Sequence, residues 1–170
     1  MLNIKDPKEA RKIIRANKYT EQTAGTSSEY VQGNLCILPS KYAEDFSQFC
    51  KNNPKPCPLI SKGIKGSPAL PELGEIDIRT DVPQYRVWEK NKLIDEPHDI
   101  KKYWNDDLVT FVLGCSMSFE LPLIDAGIEL QHITNNTIVP MYQTSIDCVP
   151  AGQFSGKLVV SMRPLNAKNT

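Results

Sequence analysis

Leu108-Val109-Thr110-Phe111-Val112-Leu113 runs without a break into Gly114-Cys115-Ser116-Met117-Ser118-Phe119-Glu120, and the reading of that passage decides the fold. Apolar side chains near 108, 109, 112, 113, 116/117, 119/120 and 123/124 fit helical spacing, with Phe111 on a shoulder, so a helix is predicted over residues 106–124. Gly114 inside such a helix costs about 1 kcal/mol relative to alanine, which asks for a close contact with another backbone or a ligand. A thiol, two hydroxyls and a carboxylate closing a buried apolar run are either satisfied or functional, and the glycine tilts the reading toward a site.

Composition narrows what that site handles. At 170 residues the chain is long enough to bury one ordinary core or two lobes. Twenty Lys and Arg against twenty Asp and Glu cancel, and no basic run interleaved with aromatics occurs, which argues against nucleic acid as a partner. No run of 18 apolar residues is present. The opening residues are charged and of mixed sign, without an apolar core, and Asp6 and Glu9 sit early; the expectation is a soluble cytoplasmic chain with neither signal peptide nor membrane span. Five cysteines with no CxxC pair support neither a disulfide framework nor a zinc ribbon, and two histidines are too few for a histidine-rich metal site, so no metal is expected.

Outward from the central passage, a short amphipathic helix is predicted over residues 7–17, with Asp6 as N-cap and Pro7 at the first helical position. Thr20 to Ser28 lacks a period and reads as a loop; residues 31–38 then read as a buried strand. Ser40 is expected to cap a helix reaching Asn52 with Tyr42, Phe46 and Phe49 inward, and Pro54, Pro56 and Pro58 to end it before a strand at Leu59-Ile60. That rhythm is βαβ-like. Residues 61–75 are punctuated by Gly and Pro as a linker or surface loop, and a hairpin is expected around Glu89-Lys90-Asn91. Three more strands are predicted over 128–133, 139–146 and 158–162. The fold class is α/β, a mixed sheet with helices on its faces plus a smaller α+β lobe, divided into residues 1–78 and residues 79–170, the latter carrying the Gly114 to Glu120 segment.

Six stretches carry a resemblance: Tyr30 to Leu35, Asn53 to Leu59, Asp77 to Arg86, Gly114 to Glu120, Val139 to Tyr142, and Phe154 through Arg163-Pro164. In this order they resemble a bacterial family named "putative hydro-lyase", similar in turn to part of mitochondrial D-glutamate cyclase, which removes water from D-glutamate to give 5-oxo-D-proline. Ser28-Glu29 stands where the family has a Pro-Gly pair, so the turn there is expected to differ. The family pattern continues past Pro164, so the resemblance implies a chain that lacks the family's C-terminal segment.

Loss of water from a hydroxy or amino acid needs donors for the carboxylate, a base, and an acid for the departing oxygen. Arg79, Arg86 and Arg163, each inside a resembling motif, are the candidate carboxylate clamps, against the alternative of ion pairs with Asp77, Asp81 or Glu120. Asp81 is a candidate for orienting an arginine. Glu120 is the foremost acid or base candidate, since partial burial would raise its pKa. Cys115 is either a nucleophile or a buried structural thiol, and His132 either a base or a core histidine. Ser116 and Ser118 are candidate hydrogen-bond donors to substrate or back-bond to the preceding turn. Asn34 and Gln32 hold a polar ligand or close a turn, and Tyr142 is placed toward the cleft. No phosphate-loop spacing follows Phe154-Ser155-Gly156, and no cofactor is implied.

Three functions fit these residues: a cofactor-independent hydro-lyase or cyclase on a small carboxylic or amino acid such as D-glutamate; a non-catalytic binding module for an acidic metabolite; or a truncated structural remnant. The expected partner is the small carboxylate or amino acid, with homo-oligomerisation left open.

Overall fold

The computed structural model describes residues 4–166. The central passage is a strand, not a helix. Leu108–Gly114 forms the middle strand of a three-stranded sheet, and only Ser116–Phe119 and Glu120–Asp125 beyond it turn helical. The reason lies in burial: Val109, Thr110, Phe111 and Val112 are all buried, because the strand is covered on both faces. A strand apolar on both sides loses the period-2 signature and imitates a buried helix.

In chain order, strand β1 is Gly33–Pro39, helix α2 is Ala43–Asn52 (after the short N-terminal helix α1, Pro7–Arg15), and β2 is Leu59–Lys62. The central strand is β5, since the hairpin strands β3 (Val87–Glu89) and β4 (Lys92–Asp95) precede it. Both β1 and β2 pair antiparallel with β5, so they run the same way on either side of it. The βαβ rhythm is therefore real, with β5 inserted between its two strands. Sheet and helices together make an α/β arrangement, and the sheet joins residues from both sides of Ile78.

Two apolar clusters flank the sheet. On one face Val109 and Phe111 meet Ala43, Phe46, Phe49 and Cys50 of α2, and the Phe46 and Phe111 rings stand edge to face at 4.9 Å. On the other, Val112 meets Leu70 and Ile78 of the irregular 63–85 segment. That segment is no free linker, because Leu70 and Ile78 are 2% and 1% exposed.

Local chemistry explains the ends. Asp6 accepts from the Lys8 amide at 2.8 Å and Pro7 opens α1, as expected. Ser40 does not cap α2; it lies in a 3-10 turn, and its amide and hydroxyl bond Asp107 instead, tying the end of β1 to the entry of β5. Asn53 closes α2, its side chain donating to the Phe49 and Val149 carbonyls and accepting from the Val149 amide, each at 2.8 Å. The hairpin turns at Lys90 and Asn91, both with positive φ, as a two-residue loop requires.

Beyond β5 the chain forms α3 (Glu120–Asp125), α4 (Gln131–Thr134), β6 (Met141–Asp147) and β7 (Lys157–Ser161). The strand expected over 128–133 is absent: α4 occupies it, because Leu130 and His132 are buried and no neighbouring backbone pairs with it among the described residues. Strands β6 and β7 form a separate two-stranded ribbon with Met141 opposite Ser161 and Tyr142 opposite Val160.

Candidate functional site

Gly114 has the close contact its position asked for. Its amide donates to the Pro58 carbonyl at 2.8 Å, and an added Cβ would lie 3.1 Å from Pro58 Cγ. The glycine thus lets the start of β2 press on the end of β5, and no ligand is needed to explain it. From there the chain turns outward, Cys115 donating its amide to the Gln32 carbonyl at 3.0 Å.

The turn Ser116–Phe119 and the first residue of α3 face the end of β7, and four elements converge. Arg163 Nε donates to Glu120 Oε1 at 2.7 Å and its Nη2 donates to the same oxygen. Nη1 donates to Ser161 Oγ at 3.0 Å and Nη2 to Ser116 Oγ at 3.2 Å, while the two serine hydroxyls stand 2.8 Å apart. His132 Nε2 lies 3.1 Å from Glu120 Oε1. The Arg163 guanidinium carbon sits 4.6 Å from the Phe119 ring centroid. The side chains of Arg163, His132 and Glu120 are 6%, 8% and 13% exposed, so this charged cluster is largely withdrawn from water. Desolvated charges hold only when paired, and here each has its partner.

Sequence position alone would not have joined these groups. Ser161 and Phe119 had no place among the candidates, although Ser161 lies two residues before Arg163 and strand period puts both on one face.

His132 also lines a cleft of about 150 Å³ together with Gln131, Asn135, Thr137, Pro140 and Pro164. Nδ1 of His132 has no hydrogen-bond partner among the described residues, and Nε2 stands within ion-pair distance of Glu120 without a hydrogen bond between them. Glu120 Oε2 likewise has no partner among the described residues.

The other candidates lie apart from this cluster. Arg79 is engaged by Asp77, through Nε at 2.9 Å and Nη2 at 2.7 Å, and this pairing holds the Asp77 carboxyl below its ordinary range. Arg86 pairs with Glu96 at the exposed hairpin. Asp81 does orient an arginine, but it is Arg15 of α1, whose Nε and Nη2 meet the two carboxylate oxygens at 2.7 and 2.6 Å. Ser118 accepts from the Gln32 amide at 2.8 Å, and the Gln32 side chain donates to the Thr26 carbonyl at 3.2 Å, so both serve the 26–32 loop. Asn34 is exposed on β1 opposite Leu113. Tyr142 lies in register with Val160, on the ribbon face opposite the one carrying Ser161. Cys115 is half-buried with no thiol hydrogen bond among the described residues. Among the described residues no three His, Cys, Asp or Glu side chains gather as metal ligands, and no helix is long and apolar enough to cross a membrane.

Fold and cluster together define an α/β protein with a buried acid, histidine and arginine group at the lip of a small cleft. Residues 109–170, which contain that whole group, match the sequence profile of the D-glutamate cyclase family. A protein named "putative hydro-lyase" from Pelagibacter ubique is 77% identical over 169 residues, covering 99% of this chain and 65% of its own. Others so named, from Verminephrobacter eiseniae and Rhizobium johnstonii, are 56% and 55% identical over 95% and 94% of this chain and 60% of theirs. Nearly the whole chain is thus similar to bacterial proteins named "putative hydro-lyase", and its residues 109–170 to the D-glutamate cyclase family; it spans just under two thirds of the length of the curated relatives it matches.

Proposed function

We propose that this chain carries the proton-transfer machinery of a hydro-lyase or cyclase acting on a small carboxylic or amino acid such as D-glutamate. The observation that carries the reading is the Glu120–His132 contact at the lip of the cleft, backed by Arg163. An imidazole backed by a carboxylate is suited to taking up and returning a proton. Arg163, itself held by Ser116 and Ser161, keeps Glu120 in place, so Glu120 acts as the positioning group and His132 is the catalytic residue.

In cyclisation of D-glutamate, the amino nitrogen loses a proton and attacks the γ-carboxyl carbon, a C–N bond forms, a C–O bond breaks, and the oxygen departs as water. The nitrogen gives up two protons in all, one before and one after the C–N bond forms, and the departing oxygen receives two; His132 passes them on in two successive transfers. No electrons change hands between substrate and surroundings, so the reaction calls for no redox cofactor. A cleft of about 150 Å³ suits a small metabolite, below the range typical of drug-sized ligands.

The test is a screen of the purified chain against D-glutamate and other small amino and hydroxy acids, reading product mass. Turnover that falls about 10²–10⁴-fold in His132→Asn, the range general acid–base catalysis supplies, supports the assignment. Unchanged turnover in that variant refutes it. Ligand-dependent melting without any product would instead favour the binding-module reading.

A further inference from the structure

The lining of the cleft, beyond His132, is neutral. Gln131, Asn135 and Thr137 supply its polar atoms and Pro140 and Pro164 its apolar walls. Arg163, next in sequence to Pro164, turns its guanidinium away into the Glu120 pair. Apart from His132, a ligand in the cleft thus meets carboxamides, with no lysine or arginine in the wall.

Gln131 and Asn135 are one turn apart on α4 and its cap: the Asn135 amide donates to the Gln131 carbonyl at 2.9 Å, and side chains four apart share a helix face. Both line the cleft and are exposed, and neither side chain is tied up in a hydrogen bond among the described residues, so each is free to exchange water for a ligand. Thr137 is committed differently, its amide and hydroxyl both donating to the His132 carbonyl at 2.8 and 3.4 Å, so it fixes the backbone that carries the imidazole. Each carboxamide offers two N–H donors and one acceptor oxygen. Together they can donate to a carboxylate and accept from an ammonium at once.

We infer that Gln131 and Asn135 are the specificity-determining residues of the cleft, selecting a zwitterionic amino-acid head over the matching dicarboxylate. This rests on reading the cleft as the substrate site. Glutarate carries the same two carboxylates but no ammonium, so it has nothing to donate to the amide oxygens and lacks the positive charge that offsets one carboxylate. Because the contacts are neutral on the protein side, affinity depends only weakly on salt.

Calorimetric titration of the whole chain with D-glutamate and with glutarate, which lacks the amino group, tests this. D-Glutamate is expected to bind about tenfold or more tightly, the difference one hydrogen bond to a charged group makes. Gln131→Leu and Asn135→Leu should each narrow that ratio. Asn135→Asp, nearly isosteric, should weaken glutarate further and serves as the control should the leucine variants melt early. Equal binding of the two acids, no binding of either, or a ratio unmoved by all three substitutions overturns the inference. The catalytic reading fails separately: wild-type turnover in His132→Asn, with the ratio still set by Gln131 and Asn135, would remove His132's role and leave the selectivity standing.

Discussion

At the residue scale, the charged cluster makes Glu120 a structural as well as a functional position. Glu120→Gln leaves the withdrawn Arg163 guanidinium without its counter-charge, and the expected cost is about 3 kcal/mol or more of stability, alongside loss of turnover. Combining Glu120→Gln with Arg163→Met should recover part of that stability and none of the turnover; denaturant midpoints for the unsubstituted chain and the two variants check it. Buried thiols and a buried phenol set the alkaline limit, Cys36 and Tyr85 foremost, with Cys50 and Cys57 raised by burial in the same direction. Burial pushes the Cys36 thiol up to about 11 and drives the Tyr85 phenol, which donates to the Ile78 carbonyl at 2.6 Å, well above its ordinary value. Both hold their protons in the folded state at pH values where the unfolded chain releases them. Their contribution is therefore fully present below the unfolded thiol and phenol values, near 8.5 and 10, and is lost as pH rises through the folded ones. Melting temperature should fall above about pH 9, and Cys36 should resist alkylation at pH 8. The carboxylate of Asp77 has the opposite sign: held low by Arg79, it stabilises above its unfolded value and that contribution fades as pH falls through the folded one.

At the element scale, the β1–β5 pairing depends on two glycines opposite one another, Gly33 and Gly114. A Cβ at Gly33 would come within 2.6 Å of Val112 Cγ1, a branched side chain with little freedom to yield, whereas one at Gly114 meets the Pro58 ring at 3.1 Å. Gly33→Ala should therefore cost about 1–3 kcal/mol and more than Gly114→Ala, measured by thermal melting. The β6–β7 ribbon poses a different problem. Tyr142, Ile146, Val160 and Met162 share the face away from Ser161 and stand 38–60% exposed. A two-stranded ribbon with a bare apolar face is marginal in water and prone to association. The isolated chain should bind an apolar dye at this face, and Ile146→Thr with Val160→Thr should reduce that binding without disturbing Arg163.

At the scale of the whole molecule, long-range polar ties carry the arrangement. The Arg15–Asp81 pair fastens α1 to the irregular segment whose Ile78 closes the second apolar cluster, and the Asp81 side chain is wholly buried. Asp81→Ala is expected to release α1 and raise hydrogen exchange across residues 7–15 before the sheet is affected. Much of this was legible beforehand: the Asp6 cap with Pro7, the helix reaching Asn52 and ended by the prolines from Pro54, the hairpin around Glu89-Lys90-Asn91 and the two strands that make the ribbon, though not their pairing, all follow from local conformational preference, which acts within a few residues. Glu120, His132 and Arg163 were named as separate candidates for the same reason, since residue type speaks for chemistry. Their assembly was not legible, because it depends on α3, α4 and β7 meeting across about forty residues of chain. Arg79 and Arg86 show the converse, equally suitable guanidiniums that find nearer carboxylates. The identity of β5 was misread because a strand buried on both faces and a buried helix present the same apolar run; only the presence of β1 and β2 on either side distinguishes them. The sequence by itself determined the cap of α1, the end of α2, the hairpin turn and the stock of reactive side chains. Tertiary structure alone decided which strand became central and which arginine meets the Glu120–His132 pair, since burial and charge pairing depend on neighbours that are distant in the chain.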